Sequence, residues 1–79
     1  MITNKLKSIL ALRGLTFADY ARKLNIKPQS LQTKANKNAY KIKDLIKFAE
    51  LTETKLTLVD NNNKIVVEFN TEDLSEQNH

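Results

Sequence analysis

Seven cations, Arg22, Lys23, Lys27, Lys34, Lys37, Lys41 and Lys43, fill the stretch between Asp19 and Asp44 with no acidic residue among them. Interleaved with them are Gln29, Ser30, Gln32, Thr33, Asn36 and Asn38, short or planar side chains that form hydrogen bonds in either sense. Lys and Arg neutralise phosphate by displacing condensed counterions, and amides and hydroxyls pair with the donor and acceptor pattern of base edges. The stretch therefore reads as a surface for double-stranded DNA. A solvated basic face kept for solubility is the plainer alternative, but such a face would spread its charge along the chain.

The same inventory argues against other chemistry. There is no Cys, and the single His is His79 at the end of the sequence, so no disulfide, thiolate zinc site or preorganised metal cluster is expected. No glycine-rich phosphate loop is present, and no two carboxylates share a helix face; Glu50 and Glu53 read as solvated helix-end charges. With no acid, base, nucleophile and oxyanion set to assemble, neither catalysis nor a cofactor is expected, and no small-molecule ligand is evident.

The elements that must position the basic stretch belong to one small domain. A chain of 79 residues buries only roughly 60% of its unfolded surface, so a modest core or help from a second chain is expected. The net charge is +4, yet residues 70–79 carry Glu72, Asp73 and Glu76 and no cation, which leaves +7 on residues 1–69. A basic body with an acidic tail suggests a polyanionic partner. The first residues lack the apolar run of a signal peptide and no stretch is long enough to span a membrane, so the cytoplasm is the expected location.

Leu6, Ile9 and Leu10, with Leu12 beside them, predict a first helix from about Asn4 to Arg13, capped by Thr3 or Asn4 and stopped by Gly14, with Leu15 turning back onto the core. Phe17, Tyr20, Ala21 and Leu24 form an i, i+3, i+4, i+7 stripe behind Thr16, and Asp19 completes a capping-box spacing. Asn25 suits the positive φ of a tight turn, with Ile26 as its apolar plug. Pro28 fits the first position of a third helix on which Leu31 and Ala35 face inward, leaving Gln29, Ser30, Gln32, Thr33 and Lys34 outward. After a break at Asn36, Lys37 and Asn38, the residues Ile42, Leu45, Ile46, Phe48 and Ala49 predict a fourth helix from about Ile42 to Leu51.

From Thr54 the period changes from 3.6 to 2. Residues 54–59 and 64–69 read as the strands of a hairpin turning at Asp60-Asn61-Asn62-Asn63, and residues 70–79 read as a frayed polar tail. The expected organisation is a helical domain over 1–53, a hairpin over 54–69 belonging to the same domain, and a flexible acidic tail over 70–79. An isolated two-stranded hairpin is marginal in water, and Leu56, Leu58, Ile65, Val67 and Phe69 offer more apolar surface than so small a monomer readily covers. The hairpin is thus expected to join two chains as a homodimer, the alternative being that one face closes the helical core.

The order Leu15-Thr16-x-x-x-Tyr20-Ala21-x-x-Leu24-x-Ile26-x-x-x-x-Leu31 resembles the helix-turn-helix of the lambda Cro/C1 repressor type, the XRE family, over about residues 5–53. The resemblance implies a four-helix domain whose third helix enters the major groove while the neighbouring loop holds phosphates. It places Pro28, Gln29 and Ser30 in the exposed first turn of the recognition helix, Thr33 one turn on, and Asn36 at the loop position that meets the backbone. Phe17 stands where the family often carries a phosphate-binding Gln, Asn25 replaces the usual turn Gly, and Lys27 replaces the usual Ser or Thr cap. The hairpin departs from relatives that end in a fifth helix.

These readings assign base contacts to Gln29, Gln32 and Thr33, and backbone contacts to Lys27, Ser30, Lys34, Asn36, Lys37, Asn38, Lys41 and Lys43. The expected function is that of a small, repressor-like transcriptional regulator of a phage, plasmid or bacterial operon, working on the nucleoid. The alternatives are an adaptor that uses the fold to bind protein and a non-transcriptional DNA-bound accessory protein of a mobile element.

Overall fold

The structure, a computed structural model, describes residues 1–75. The elements run α1 (Ile2–Leu12), α2 (Phe17–Lys23), α3 (Pro28–Asn36), α4 (Ile42–Thr52), β1 (Leu56–Val59), β2 (Ile65–Phe69) and α5 (Thr71–Ser75). The mainly helical class with a C-terminal hairpin agrees with the periodicity. The last helix does not, because α5 occupies the start of the expected frayed tail; residues 76–79 of that tail lie outside the described residues.

Each of the first three helices is closed by local chemistry. The Gly14 φ is +71°, with the Leu15 amide donating to the Leu10 carbonyl at 2.8 Å and the Gly14 amide to the Ala11 carbonyl at 3.1 Å. A Cβ at Gly14 would touch nothing, so the backbone angle rather than crowding selects glycine there. The same paired bonds follow α2, where the Asn25 φ is +60°, and α3, where the Asn38 φ is +53°. In each case the left-handed residue satisfies carbonyls that a helix end would otherwise leave without partners. Asn38, assigned by sequence to a phosphate, thus has a conformational task of its own.

The start of α1 differs from its prediction. It begins at Ile2 with Met1 as N-cap and no side-chain cap, because the Thr3 hydroxyl is engaged instead with the Tyr40 hydroxyl at 2.6 Å. The start of α2 matches. Thr16 Oγ1 accepts from the Asp19 amide at 3.2 Å, and Asp19 Oδ2 accepts from the Thr16 amide at 2.8 Å.

Leu6, Leu10, Tyr20, Ala21, Leu31 and Phe48 form the buried core, lined by Ile9, Leu15, Phe17, Leu24, Ile26, Tyr40, Leu45 and Leu51. Tyr20 stands edge-on to Phe17 at 6.2 Å and to Phe48 at 5.0 Å. Phe17 also carries Lys7 Nζ 4.9 Å over its ring. Two apolar residues counted toward the helical stripes face solvent: Leu12, 80% exposed in the last turn of α1, and Ile42, 46% exposed at the start of α4. Asp44 and Thr52 of α4 are buried instead.

The hairpin is attached at its base. Leu56 and Phe69 are half-buried near α4, where a shallow groove is lined by Ile46, Ala49, Glu50, Leu56, Glu68 and Phe69. Its turn is organised by Asp60, whose Oδ1 accepts from the Asn62 and Lys64 amides at 2.8 and 3.0 Å. The pairing Leu56–Phe69, Thr57–Glu68, Leu58–Val67 then shifts to Val59–Ile65, so Val66 is an extra residue, a bulge. Cross-strand partners share a face. Leu56, Leu58, Val67 and Phe69 therefore lie on one face of the hairpin, and the bulge puts Ile65 on the other, with Val59. Leu58, Val59, Ile65, Val66 and Val67 are all exposed, and none of them joins the helical core.

Candidate nucleic-acid interface

Pro28 opens α3 with Lys27 in extended conformation before it, and the Lys27 carbonyl takes the first bonds, from Ser30 at 2.9 Å and Leu31 at 3.1 Å. Leu31 and Ala35 anchor the helix in the core, and both are buried. At about 100° per residue this sends Gln29, Ser30, Thr33 and Asn36 to the opposite side and Gln32 to its flank, and all five are exposed. The three proposed base readers therefore stand together on one outward face of one helix.

Their hydrogen bonding distinguishes them. Among the described residues, the side chains of Gln29 and Ser30 have no protein partner, so both keep their full donor and acceptor capacity for a ligand. Thr33 Oγ1 donates to the Gln29 carbonyl at 3.1 Å, which leaves its lone pairs and methyl group outward. Gln32 Nε2 donates to Asn36 Oδ1 at 2.9 Å. That bond fixes the Asn36 amide with its Nδ2 donor outward, the end that a phosphate oxygen would accept from.

The seven cations divide. Arg22 pairs with Asp19 at 2.7 Å, Lys23 pairs with Glu50, and Lys34 pairs with Asp44 at 3.0 Å. Lys27, Lys37, Lys41 and Lys43 are exposed and carry no ion pair among the described residues. Lys34, expected outward on a phosphate, is half-buried and turned the other way. It lies roughly 80° from the middle of the Leu31–Ala35 stripe, near enough for a long side chain to lean inward when an acid waits there. The sequence gives little warning of that acid, since Asp44 opens an apolar helix where carboxylates are usually solvated.

Asp44 is 2% exposed, and its Oδ2 accepts both from Lys34 Nζ and, at 2.9 Å, from the Lys41 amide. The second bond is the reach-back half of a capping box at the start of α4. Tyr20, fully buried, donates its hydroxyl to the Asp44 carbonyl at 2.7 Å. Burial, with the Asp44 charge adding to it, pushes the Tyr20 phenol well above its ordinary value of 10, so it remains a donor. Sequence reading missed Tyr20, Tyr40 and Asp44 as organisers of the site; an aromatic in an apolar stripe reads as core, and its hydroxyl partner lies far along the chain.

Three of these four lysines stand where folding does not ask for them. Lys27 is the N-cap of α3, Lys41 is the N-cap of α4 and Lys43 lies in the first turn of α4. The N-terminus of a helix carries partial positive charge, and a cation there costs about 0.3–1 kcal/mol. At the start of α3 that potential attracts phosphate, while at α4 the Asp44 carboxylate already takes the Lys41 amide.

Among the described residues, no three His, Cys, Asp or Glu side chains come together as a metal would need, and no helix is long and apolar enough to cross a membrane. Compared with family models, curated proteins and solved structures, the chain matches none.

Proposed function

We propose that this protein binds double-stranded DNA in a sequence-dependent manner, with α2 and α3 acting as a helix-turn-helix of the Cro/C1 kind and α3 lying in the major groove. The observation that carries this reading is the outward face of α3. Gln29, Ser30, Gln32 and Thr33 are exposed together there, and Lys27, Lys37, Lys41 and Lys43 are set around it without ion pairs among the described residues. Gln29 reads adenine through a side-by-side donor and acceptor, Thr33 meets thymine or a neighbouring base, and the lysines with Ser30 and Asn36 hold phosphates. In this reading the role is regulatory, as a small cytoplasmic repressor-like protein.

A second copy completes the reader. The exposed distal hairpin, with Leu58, Val59, Ile65, Val66 and Val67, joins two chains, and a two-fold pair sets two α3 helices on successive major grooves roughly 34 Å apart. The same apolar surface favours a rival reading in which the hairpin docks on another protein and the helices serve only as a scaffold. Selection of bound sites from random duplex DNA tests both. A palindromic consensus with half-sites one helical turn apart is expected, whereas weak binding indifferent to salt and sequence would favour the scaffold.

A further inference from the structure

We propose that Lys34 and Asp44 form a clamp that holds the loop between α3 and α4 in the shape that meets phosphate, so that Lys34 acts on DNA through Lys37 and Lys41 without touching it. This inference rests on the DNA-binding reading above and assigns one cation of the basic stretch a positioning role.

The loop, residues 37–41, is fixed at three points. At its entrance the Ala39 amide donates to the Lys34 carbonyl at 2.9 Å and the Asn38 amide to the Ala35 carbonyl at 3.1 Å. In its middle the Tyr40 hydroxyl meets Thr3 Oγ1 of α1 at 2.6 Å. At its exit the Lys41 amide donates to Asp44 Oδ2 at 2.9 Å, and that same oxygen receives Lys34 Nζ at 3.0 Å. One carboxylate oxygen therefore ties the last turn of α3 to the end of the loop, while Lys37 and Lys41 remain exposed along it.

Stability alone does not explain the pair. Asp44 is buried and the Lys34 side chain is 27% exposed, so the carboxylate is desolvated and the ammonium partly so, and replacing such a pair with apolar residues of similar volume is often neutral or stabilising. What this pair supplies is a fixed distance between two helices, and a backbone held in its bound shape loses less entropy when a ligand binds. Lys34 cannot serve a phosphate in this state, since its ammonium is held on the Asp44 carboxylate.

The test uses the full chain and a short mixed-sequence duplex, with affinity measured by fluorescence anisotropy over a salt series. Lys34→Met alone leaves a buried carboxylate unpaired and is expected to unfold easily. The informative variant is Lys34→Met with Asp44→Asn, which removes both charges while the introduced amide oxygen can still accept from the Lys41 amide. Only the link to α3 is cut, and thermal unfolding checks that the variant is folded. The expected result is binding about tenfold weaker with the wild-type salt slope. A slope shallower by about 0.9, as for one lost phosphate contact, would place Lys34 on DNA and overturn the clamp. A folded variant with wild-type affinity and slope would also overturn it, by making the pair a matter of stability alone. Failure of the wild-type chain to bind the duplex would instead remove the DNA-binding reading and this inference together.

Discussion

The Tyr20 hydroxyl lies 2.7 Å from the backbone carbonyl of Asp44, joining the middle of α2 to the first turn of α4 across 24 residues of sequence. α3 packs on α2 and is followed by α4, so the bond sets the frame in which its outward face is presented. Tyr20→Phe keeps the ring packing and leaves one bond of a buried carbonyl unmade. It should lower unfolding free energy by about 1–2 kcal/mol in urea titration, with the salt slope of DNA binding unchanged. A loss of slope would mean that the frame is not what this bond supports.

Base reading and phosphate binding should separate on mutation. Gln29→Ala should cost about 1–3 kcal/mol on the selected site and relax discrimination at one base pair, while random duplex is bound as before. Equal losses on specific and random DNA would remove Gln29 from the readers.

Lys27, Lys37, Lys41 and Lys43, which carry no ion pair among the described residues, set the electrostatic share of affinity. Neutralising about four phosphates gives a slope of log K on log salt of roughly −3.6 per chain, and Lys37→Ala should make it shallower by about 1 for every sequence. A flat salt dependence of the wild-type chain would contradict the assignment.

Association of two chains is expected to depend on the distal hairpin. Val67→Lys puts a charge beside Leu58, its cross-strand partner, and should shift sedimentation toward the monomer and weaken binding to a palindromic site. An unaltered sedimentation profile together with unaltered affinity would show that the hairpin does not join the chains.

Acid should loosen α2 in a defined direction. The Asp19 carboxylate accepts first from the Thr16 amide, then from Arg22 and from the Thr16 hydroxyl, and these bonds hold it below its ordinary value of 3.8. Because the folded value is the lower one, the ionised group favours the fold above 3.8, and that contribution disappears as pH falls through the folded value. Thermal unfolding of Asp19→Asn should therefore start below wild type near neutrality, and the gap should close as pH is lowered. A gap independent of pH would show that the ionised carboxylate does not matter to the cap.

What the sequence determined by itself is what neighbours in the chain decide. The Thr16–Asp19 box, the left-handed turns at Gly14 and Asn25, the Pro28 start of α3 and the inward Leu31 and Ala35 all follow from bonds and angles spanning a few residues. The exposed polar face of α3 follows from the same helical period. Tertiary structure decided where a partner lies far away in sequence or where two options were locally equal. Thr3 could have capped α1, yet Tyr40 took its hydroxyl. Lys34 could have stood in solvent, yet the buried Asp44 drew it inward, since a carboxylate removed from water needs a cation and a donor beside it. The strands alternate cleanly on paper, and a single unpaired residue at Val66 reversed the face of Ile65, because register depends on both strands and the period of neither one reveals it.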